Sequence, residues 1–506
     1  MLVQVPGAAA RRDAPQTNRE RLDAAVNGLR RANPGMSAYR RLSPGQSVRG
    51  LLWLAAAAAA AWAMGPAIWT VAALAMTLPF TCITLLRSLA LWHHTTRRRP
   101  RAGGIGLANP QPHDAFLPTY SLLIPLYREA RVVPALMQAL RRLDYPASRL
   151  EVLFITEQSD DDTRAALLRA RLAANMRIIT VPEGRPRTKP RALNYALSFA
   201  RGQYVAVYDA EDAPEPGQLK MAVRAFRTRR GRIGCVQARL DIYTPAASFL
   251  TRQFTLEYMA LFYGLLPAFQ RFGIPVPLGG TSNHFPRAVL NEAGGWDPYN
   301  VTEDADLGLR LARKGYGVAM IGSTTWEEAP VRWRQWFGQR TRWIKGWIQT
   351  YLVHTRRPVA LMRELGLRGW LGFHLVFGGL LFSALVHPWS YAFLAWSLAT
   401  DRGGDGVRSI LLDVCLFNML ASYAAAILLA LAVAIRRRRF RLALSAIWTP
   451  FYWLLISLAA YRAVLDFMWR PHHWRKTAHT GAGRQQIDAS GRCRPQSRRP
   501  HDRAAP

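Results

Sequence analysis

The sequence predicts an α/β domain set between two groups of membrane-spanning helices, and three observations carry that prediction. Short apolar, β-branched runs alternate with helical patterns from about residue 120 to 207, a spacing that builds a parallel sheet with helices on both faces. Apolar stretches at 51–92 and 369–469 flank that region, each far longer than the ~20 residues that cross a bilayer as a helix. The formal net charge of +35 lies mostly in four segments, 1–50, 93–103, 436–441 and 469–506, each abutting an apolar run. Positive charge beside hydrophobic segments orients membrane proteins with the basic flanks inside and favours anionic headgroups. That placement argues against a nucleic-acid partner, which so basic a chain would otherwise suggest.

In chain order, residues 1–50 are rich in Arg, Ala and Pro and read as mostly disordered, with a short helix near 19–31. The 51–92 stretch is apolar apart from Arg87 and is divided at Gly65-Pro66, which suggests a helical hairpin with both basic flanks on one side. A domain follows over 115–357. Its strands begin as Ser121–Leu126, Glu151–Thr156, Met176–Val181 and the run through Val205 and Val207. A mixed region then contains a strand near 235–243 and a long aromatic helix from 246 to about 272, whose ring-bearing face suits either a membrane interface or ordinary packing. The 369–469 region accommodates three or four helices. Three crossings hold the 436–441 cluster inside and leave the basic tail outside, and four reverse this. The tail, 470–506, reads as disordered. Cys82, Cys235, Cys415 and Cys493 have no metal-ligand spacing, which fits a reducing compartment, and the polar first fifty residues lack the pattern of a cleavable signal peptide.

The chemistry-bearing residues sit at strand ends and helix starts. Asp209, Glu211 and Asp212 break the strand through Val207, where open α/β sheets bind ligands. Their spacing suits a hard cation that also holds a phosphate, or else a solvated acidic turn. Tyr127 and Glu129 follow the first strand, where a nucleotide base would lodge, and Glu157 ends the second. Lys189 and Arg191 open a helix and would sit beside phosphates. Thr302-Glu303-Asp304 enters a helix containing Leu307, Leu309 and Leu311. It reads equally as an N-cap with acids in the first turn. Gln339, Arg342 and Trp343 lie in a helical stretch that also holds Trp333, Trp336 and Trp347. Trp336 and Trp347 are expected at headgroup depth, with Trp343 offering an aromatic face to a sugar ring.

The order D-x-E, T-E-D, Q-x-x-R-W across about 115–350 resembles the inverting family-2 glycosyltransferases, most of all the membrane-embedded processive branch with bacterial cellulose synthase catalytic subunits and hyaluronan and chitin synthases. The resemblance implies a GT-A-type domain with a Rossmann-like mixed sheet. It implies that Asp209, with Glu211 or Asp212 as second ligand, binds Mg²⁺ or Mn²⁺ and a nucleotide-sugar diphosphate. Asp304 is implied as general base beside Glu303. Tyr127, Glu129, Glu157, Lys189, Arg191 and Arg342 are implied around the nucleotide sugar. Gln339 and Trp343 are implied on the acceptor side, as are Thr281 and His284 in the loop Gly279–His284, although a lone His is more often structural. Two departures stand out: Thr156-Glu157 replaces the Asp-Asp common in the family, and the metal pair is Asp/Glu. The expected activity is inverting transfer of glucose from UDP-glucose onto a growing β-linked polysaccharide, coupled to export. The expected place is the bacterial inner membrane, multi-pass, with the catalytic domain cytoplasmic and with export or regulatory subunits as candidate partners. The alternative is transfer of one sugar to a lipid or short acceptor. A membrane-tethered binder of nucleic acid or anionic lipid would leave the ordered carboxylates without a role.

Overall fold

Eight strands form one sheet in the computed structural model, which describes residues 17–65, 67–96, 116–228, 231–400 and 406–473. They are β1 (Tyr120–Leu126), β2 (Leu150–Glu157), β3 (Met176–Val181), β4 (Tyr204–Val207), β5 (Ala213–Pro214), β6 (Ile233–Ile242), β7 (Asn283–Pro286) and β8 (Gly317–Glu327). Their spatial order is β3-β2-β1-β4-β7-β6-β8-β5. The first four run parallel. β7 lies antiparallel between β4 and β6, and β6 pairs in parallel with β8. The sheet is therefore mixed, as a GT-A-type domain requires. β1 and β2 are apolar and almost wholly buried, the composition of strands covered on both faces. Because β1 is flanked by β2 and β4, the connections reverse beside it, and the C-terminal ends of these strands open one crevice. Gly202 admits β4 to its place: a Cβ there would stand 2.4 Å from the Ser121 nitrogen.

Two long helices, Pro44–Met64 and Ala67–Thr96, precede the sheet. Gly65, at φ +52°, ends the first. After the sheet, Pro358–Phe373 continues through a π-helical turn, His374–Gly379, into Leu380–Thr400, and Gly406–Arg436 follows. Four helical segments among the described residues are long and apolar enough to cross a membrane: Pro44–Met64, Pro358–Ala392, Asp413–Arg436 and Phe440–Trp469. Gly406–Arg436 packs along Ala67–Thr96, with Arg87 donating to Ser422 Oγ (3.1 Å) and Thr81 to Asn418 Oδ1 (2.8 Å).

Residues 1–16 lie outside the described residues. The helix expected near 19–31 is present at 18–32, closed by a capping box between Thr17 and Glu20, which satisfies two otherwise orphan donors; the residues after it differ from the expected disorder. Residues 33–43 are pinned from both sides. Asp297 accepts from Ser37 Oγ and the Ala38 nitrogen, while Arg356 donates to the carbonyls of Pro34, Gly35, Ser37 and Arg40. The ordering comes from side chains some 260 to 320 residues away in sequence, so local composition does not reveal it. The tail from 474 lies outside the described residues.

Beneath this strap Asp306 accepts from Arg310 Nε (2.8 Å) and pairs with His354 Nε2 (3.0 Å), all three buried. Arg310 also donates to the carbonyls of Ala293 and Gly295. Removing one partner of such a network leaves the other charge buried and uncompensated. Asp306→Ala should therefore lower stability by about 3–5 kcal/mol, measurable as a fall in the unfolding midpoint in detergent.

Candidate active site

A cleft of about 530 Å³ opens at the C-terminal ends of β1, β2 and β4. Asp209 follows β4 and stands at its mouth, its backbone nitrogen donating to Asp212 Oδ2 (2.7 Å) and to Thr281 Oγ1 (3.3 Å). Lys189 Nζ lies 2.5 Å from Asp209 Oδ1 and donates to the Gly280 carbonyl at 2.8 Å. Burial works against a charged lysine, yet the carboxylates of Asp209 and Glu303 override it and hold Lys189 above its ordinary value.

The three acids after β4 divide. Asp209 and Glu211 line the cleft. Asp212 is buried behind them, bonded to Thr281 Oγ1 and the Asp209 nitrogen. Its burial, then the charges of Asp209 and Glu211, push its carboxyl well above the usual range. Glu327 ends β8 and lines the same cleft, raised for the same reasons. Sequence reasoning passed over it, although an acid closing an apolar strand is the signal that singled out Asp209.

Opposite this group, the helix Glu303–Arg313 begins. Thr302 stands at the N-cap with Glu303, Asp304 and Asp306 in the first turn, but its side chain makes no cap bond. Glu303 and Asp304 both line the cleft. Burial, then the adjacent Asp304, raises Glu303 to about 7. Burial also raises Asp304, opposed by the Ala305 nitrogen, Lys189 and Arg342. Arg342 enters from the helix Trp333–His354 and donates to the Val301 carbonyl at 3.2 Å. Gln339 and Trp343 of that helix also line the cleft. Trp343 stacks on Tyr258 (centroids 6.2 Å, planes 24° apart), and the Arg340 guanidinium lies 4.8 Å from its ring centroid. Arg340, paired with Glu257 at 2.5 Å, thus holds Trp343 in place; its role depends on a helix remote in sequence. The aromatic helix region from 249 to 272 supplies Phe254, Tyr258 and Phe262 to the cleft wall.

Tyr127, Glu129 and Glu157 line the β1–β2 end, and Thr281 lines the loop before β7. Three other expectations fall differently. Arg191 is fully buried behind Glu157 and bonded to its Oε2 rather than facing the cleft; burial still raises Glu157 despite that partner. His284 points into the protein from β7, between the Tyr120 hydroxyl (2.9 Å) and Gln218 (3.3 Å), and burial lowers it to about 3. Trp336, expected at headgroup depth, is fully buried and donates to the Tyr452 hydroxyl at 3.0 Å, while Trp347 lines the cleft. A helix sandwiched on both sides has no headgroup face at those positions.

The donor set can be tested against a divalent cation. Among the described residues no three His, Cys, Asp or Glu side chains gather closely enough to hold an ion unaided. Asp209 and Glu211 nevertheless present hard oxygen ligands to a cleft where Asp212 and Glu327 are raised by burial and then by the neighbouring acids. That suits a cation of the Mg²⁺ class, which binds through one or two carboxylates and completes its shell with substrate phosphate and water.

Residues 118–346 match the family described as "Glycosyltransferase like family 2". Over these 229 residues the chain is similar to family-2 glycosyltransferases. Similarity extends to the beta-monoglucosyldiacylglycerol synthase of Synechocystis sp. (strain ATCC 27184 / PCC 6803 / Kazusa), 29% identical over 50% of this chain and 54% of that protein. It extends also to the cellulose synthase 1 catalytic subunit [UDP-forming] of Komagataeibacter xylinus, 27% identical over 47% and 32%. The chain thus spans about half or less of these relatives' lengths. A solved structure of the mannosyltransferase PcManGT from Pyrobaculum calidifontis, in complex with GDP-Man and Mn²⁺, shares the fold. It has a TM-score of 0.51 and 20% identity over 79% of this chain and 99% of that one.

Two outcomes test this geometry. A Cβ at Gly346 would stand 2.2 Å from Thr302 Oγ1, so Gly346→Ala must displace the residue preceding Glu303. A shift near 1 Å in a reacting group costs about 100-fold in rate, and kcat should fall on that scale while donor affinity, read by calorimetry, changes little. The second concerns pH. A carboxylate at Asp304 can take up a proton only when ionised, and burial raises it above its ordinary value. kcat/KM should therefore fall as pH is lowered, beginning above the ordinary carboxylate range. Glu303→Gln removes a like charge, favours ionised Asp304, and should move the acid limb of the kcat/KM profile to lower pH. The sign for stability is opposite: a carboxyl raised in the fold favours folding below its unfolded value of 4.5, and this contribution is lost as pH rises through about 7.

Proposed function

We propose that this protein is a membrane-bound inverting glycosyltransferase that moves a sugar, glucose from UDP-glucose, onto the hydroxyl end of a β-linked polysaccharide, with the catalytic domain on the cytoplasmic face of a bacterial inner membrane. The observation that carries the reading is the convergence of Asp304, Lys189, Asp209, Arg342 and Trp343 on one cleft. Asp304 takes the acceptor hydroxyl proton as the oxygen forms its bond to the anomeric carbon. The bond from that carbon to the diphosphate breaks on the opposite face, and its electron pair leaves with the diphosphate. Lys189 and Arg342 stabilise that developing charge. A divalent cation held by Asp209 and Glu211 would neutralise the same group when bound, a reading supported by the Mn²⁺ and GDP-Man in the mannosyltransferase complex. Trp343 offers the aromatic face on which an acceptor sugar ring packs.

A second reading, transfer of one sugar to a lipid hydroxyl, has its own support. Leu261, Phe262, Leu266 and Trp347 give one wall of the cleft an apolar surface, and one relative is named for a glucosyl lipid product.

Purified protein in liposomes with radiolabelled UDP-glucose and Mg²⁺ or Mn²⁺ separates the two. Label retained on filters after solvent extraction supports the polysaccharide, and label in the organic phase supports the lipid. Asp304→Asn should lose about 10²–10⁴-fold in transfer while UDP binding is kept. Full turnover in that variant would remove Asp304 from the role of base.

A further inference from the structure

Arg87 is the one charged residue in the apolar run 51–92, and it lies inside the helix Ala67–Thr96. Its guanidinium donates to Ser422 Oγ (3.1 Å) and stands 4.4 Å from the centroid of the Trp453 ring. Among the described residues no Asp or Glu pairs with it. Seven residues on, His94 meets the Tyr263 carbonyl of the catalytic domain, so Arg87 lies about 10 Å along the helix from that contact at 1.5 Å per residue. A charge carried by a membrane-spanning segment is costly, and it faces the protein interior or a cavity and finds a partner there. One hydroxyl and an aromatic face ease the burial of Arg87 without neutralising it.

Ser422 and Trp453, its two partners, line a cavity of about 60 Å³ walled by the helices Ala67–Thr96, Leu380–Thr400, Gly406–Arg436 and Thr449–Trp469. Polar groups without partners surround it. His387 Nε2 meets the Tyr423 hydroxyl (2.5 Å), which in turn meets that of Tyr391, while His387 Nδ1 bonds nothing. Asn418 accepts from Thr81 at 2.8 Å, and its amide nitrogen has no partner among the described residues. His387, Asn418 and Ser422 are each more than nine-tenths buried, where an unsatisfied polar group is costly. No Asp or Glu is among the described residues that line the cavity.

We propose, resting on the reading that these helices lie in a membrane, that the cavity binds the phosphate of an anionic phospholipid, with Arg87 as its counter-charge and His387 Nδ1 and the Asn418 amide as further donors. A guanidinium grips phosphate through paired N–H groups, and the bond to Ser422 occupies one of its five. A cavity without acids offers nothing to the ammonium of a zwitterionic headgroup, which favours a lipid of net negative charge. Size points the same way. A water needs ~10–15 Å³ of such space, so the cavity takes a group of about five heavy atoms, a phosphate rather than a sugar ring. Leu416 both lines the cavity and is exposed, which gives the acyl chains an apolar surface to follow outward. Trp453 adjoins Tyr452, whose hydroxyl accepts from Trp336 of the helix that carries Gln339, Arg342 and Trp343. The bound lipid thereby steadies the acceptor side of the cleft from the membrane.

Native mass spectrometry of the full-length protein in detergent tests this with no transfer reaction, so its result stands whichever acceptor the cleft serves. Titration with phosphatidylglycerol should give one saturable adduct, bound at least about tenfold more tightly than phosphatidylcholine, the effect of one charge-assisted hydrogen bond. Arg87→Gln should lower phosphatidylglycerol binding to the phosphatidylcholine level, and Arg87→Lys should restore part of it. Asn418→Leu keeps the charge and removes one donor, and should weaken binding about threefold. Arg462→Gln removes an exposed charge on the last helix and should leave binding unchanged. Equal binding of the two lipids by the unsubstituted protein overturns the proposal, as does undiminished phosphatidylglycerol binding by Arg87→Gln. Displacement of the lipid by inorganic phosphate at equal concentration, or by a β-linked oligosaccharide, assigns the cavity to another ligand and overturns it too.

Discussion

An excess of carboxylates in a confined cleft is the constraint on which the rest of the structure depends. Asp209, Glu211, Glu303, Asp304 and Glu327 share it with Lys189 and Arg342, and Asp212 stands directly behind. Burial raises Glu303, Asp304, Asp212 and Glu327, and neighbouring acids add to the shift at Glu303, Asp212 and Glu327. Such a cleft prefers either protons or cations, and a nucleoside diphosphate arriving with a divalent ion brings both an anion for the bases and a cation for the acids. Lys189, bonded to Asp209 and to the Gly280 carbonyl, bridges the two halves and is the pivot of that balance.

The geometry is held by parts that do no chemistry. The helix Trp333–His354 presents Gln339, Arg342 and Trp343 inward and grips the Thr302 motif from behind. Gln349 accepts from the Val301 nitrogen, Thr350 from Asn300, and Gly346 leaves room for Thr302. The buried Asp306 triad ties the same motif to His354 at the far end of that helix. The N-terminal strap closes over these elements through Asp297 and Arg356. Asp304, Trp343 and the N-terminal strap are therefore held around one helix, Trp333–His354.

Much of this was legible in the chain. Strand ends that break into acids mark the crevice because a parallel sheet places those ends together, and Asp209 and Glu157 are legible that way. Glu327 ends a strand too, but its strand lies in the mixed part of the sheet, where alternation of strand and helix gives no warning. Arg191 and His284 carry residue types that suit a site yet face the interior, and only the packing around them reveals the direction. Glu211 and Asp212, adjacent in sequence, end on different sides of the cleft wall because Thr281, some seventy residues on, captures Asp212.

By itself the sequence determined the α/β class, the flanking apolar helices, the concentration of charge beside them, and the order of the acidic and Q-x-x-R-W motifs. Those are properties of composition and period, which act over a few neighbouring residues. Only the tertiary structure decided which acids face the cleft, that the N-terminal segment is docked, and that the helix Thr449–Trp469 has both ends held at the catalytic domain. Each of these depends on a contact between residues far apart in the chain, and an apolar helix long enough to span a bilayer looks the same in sequence whether its ends are held together or apart.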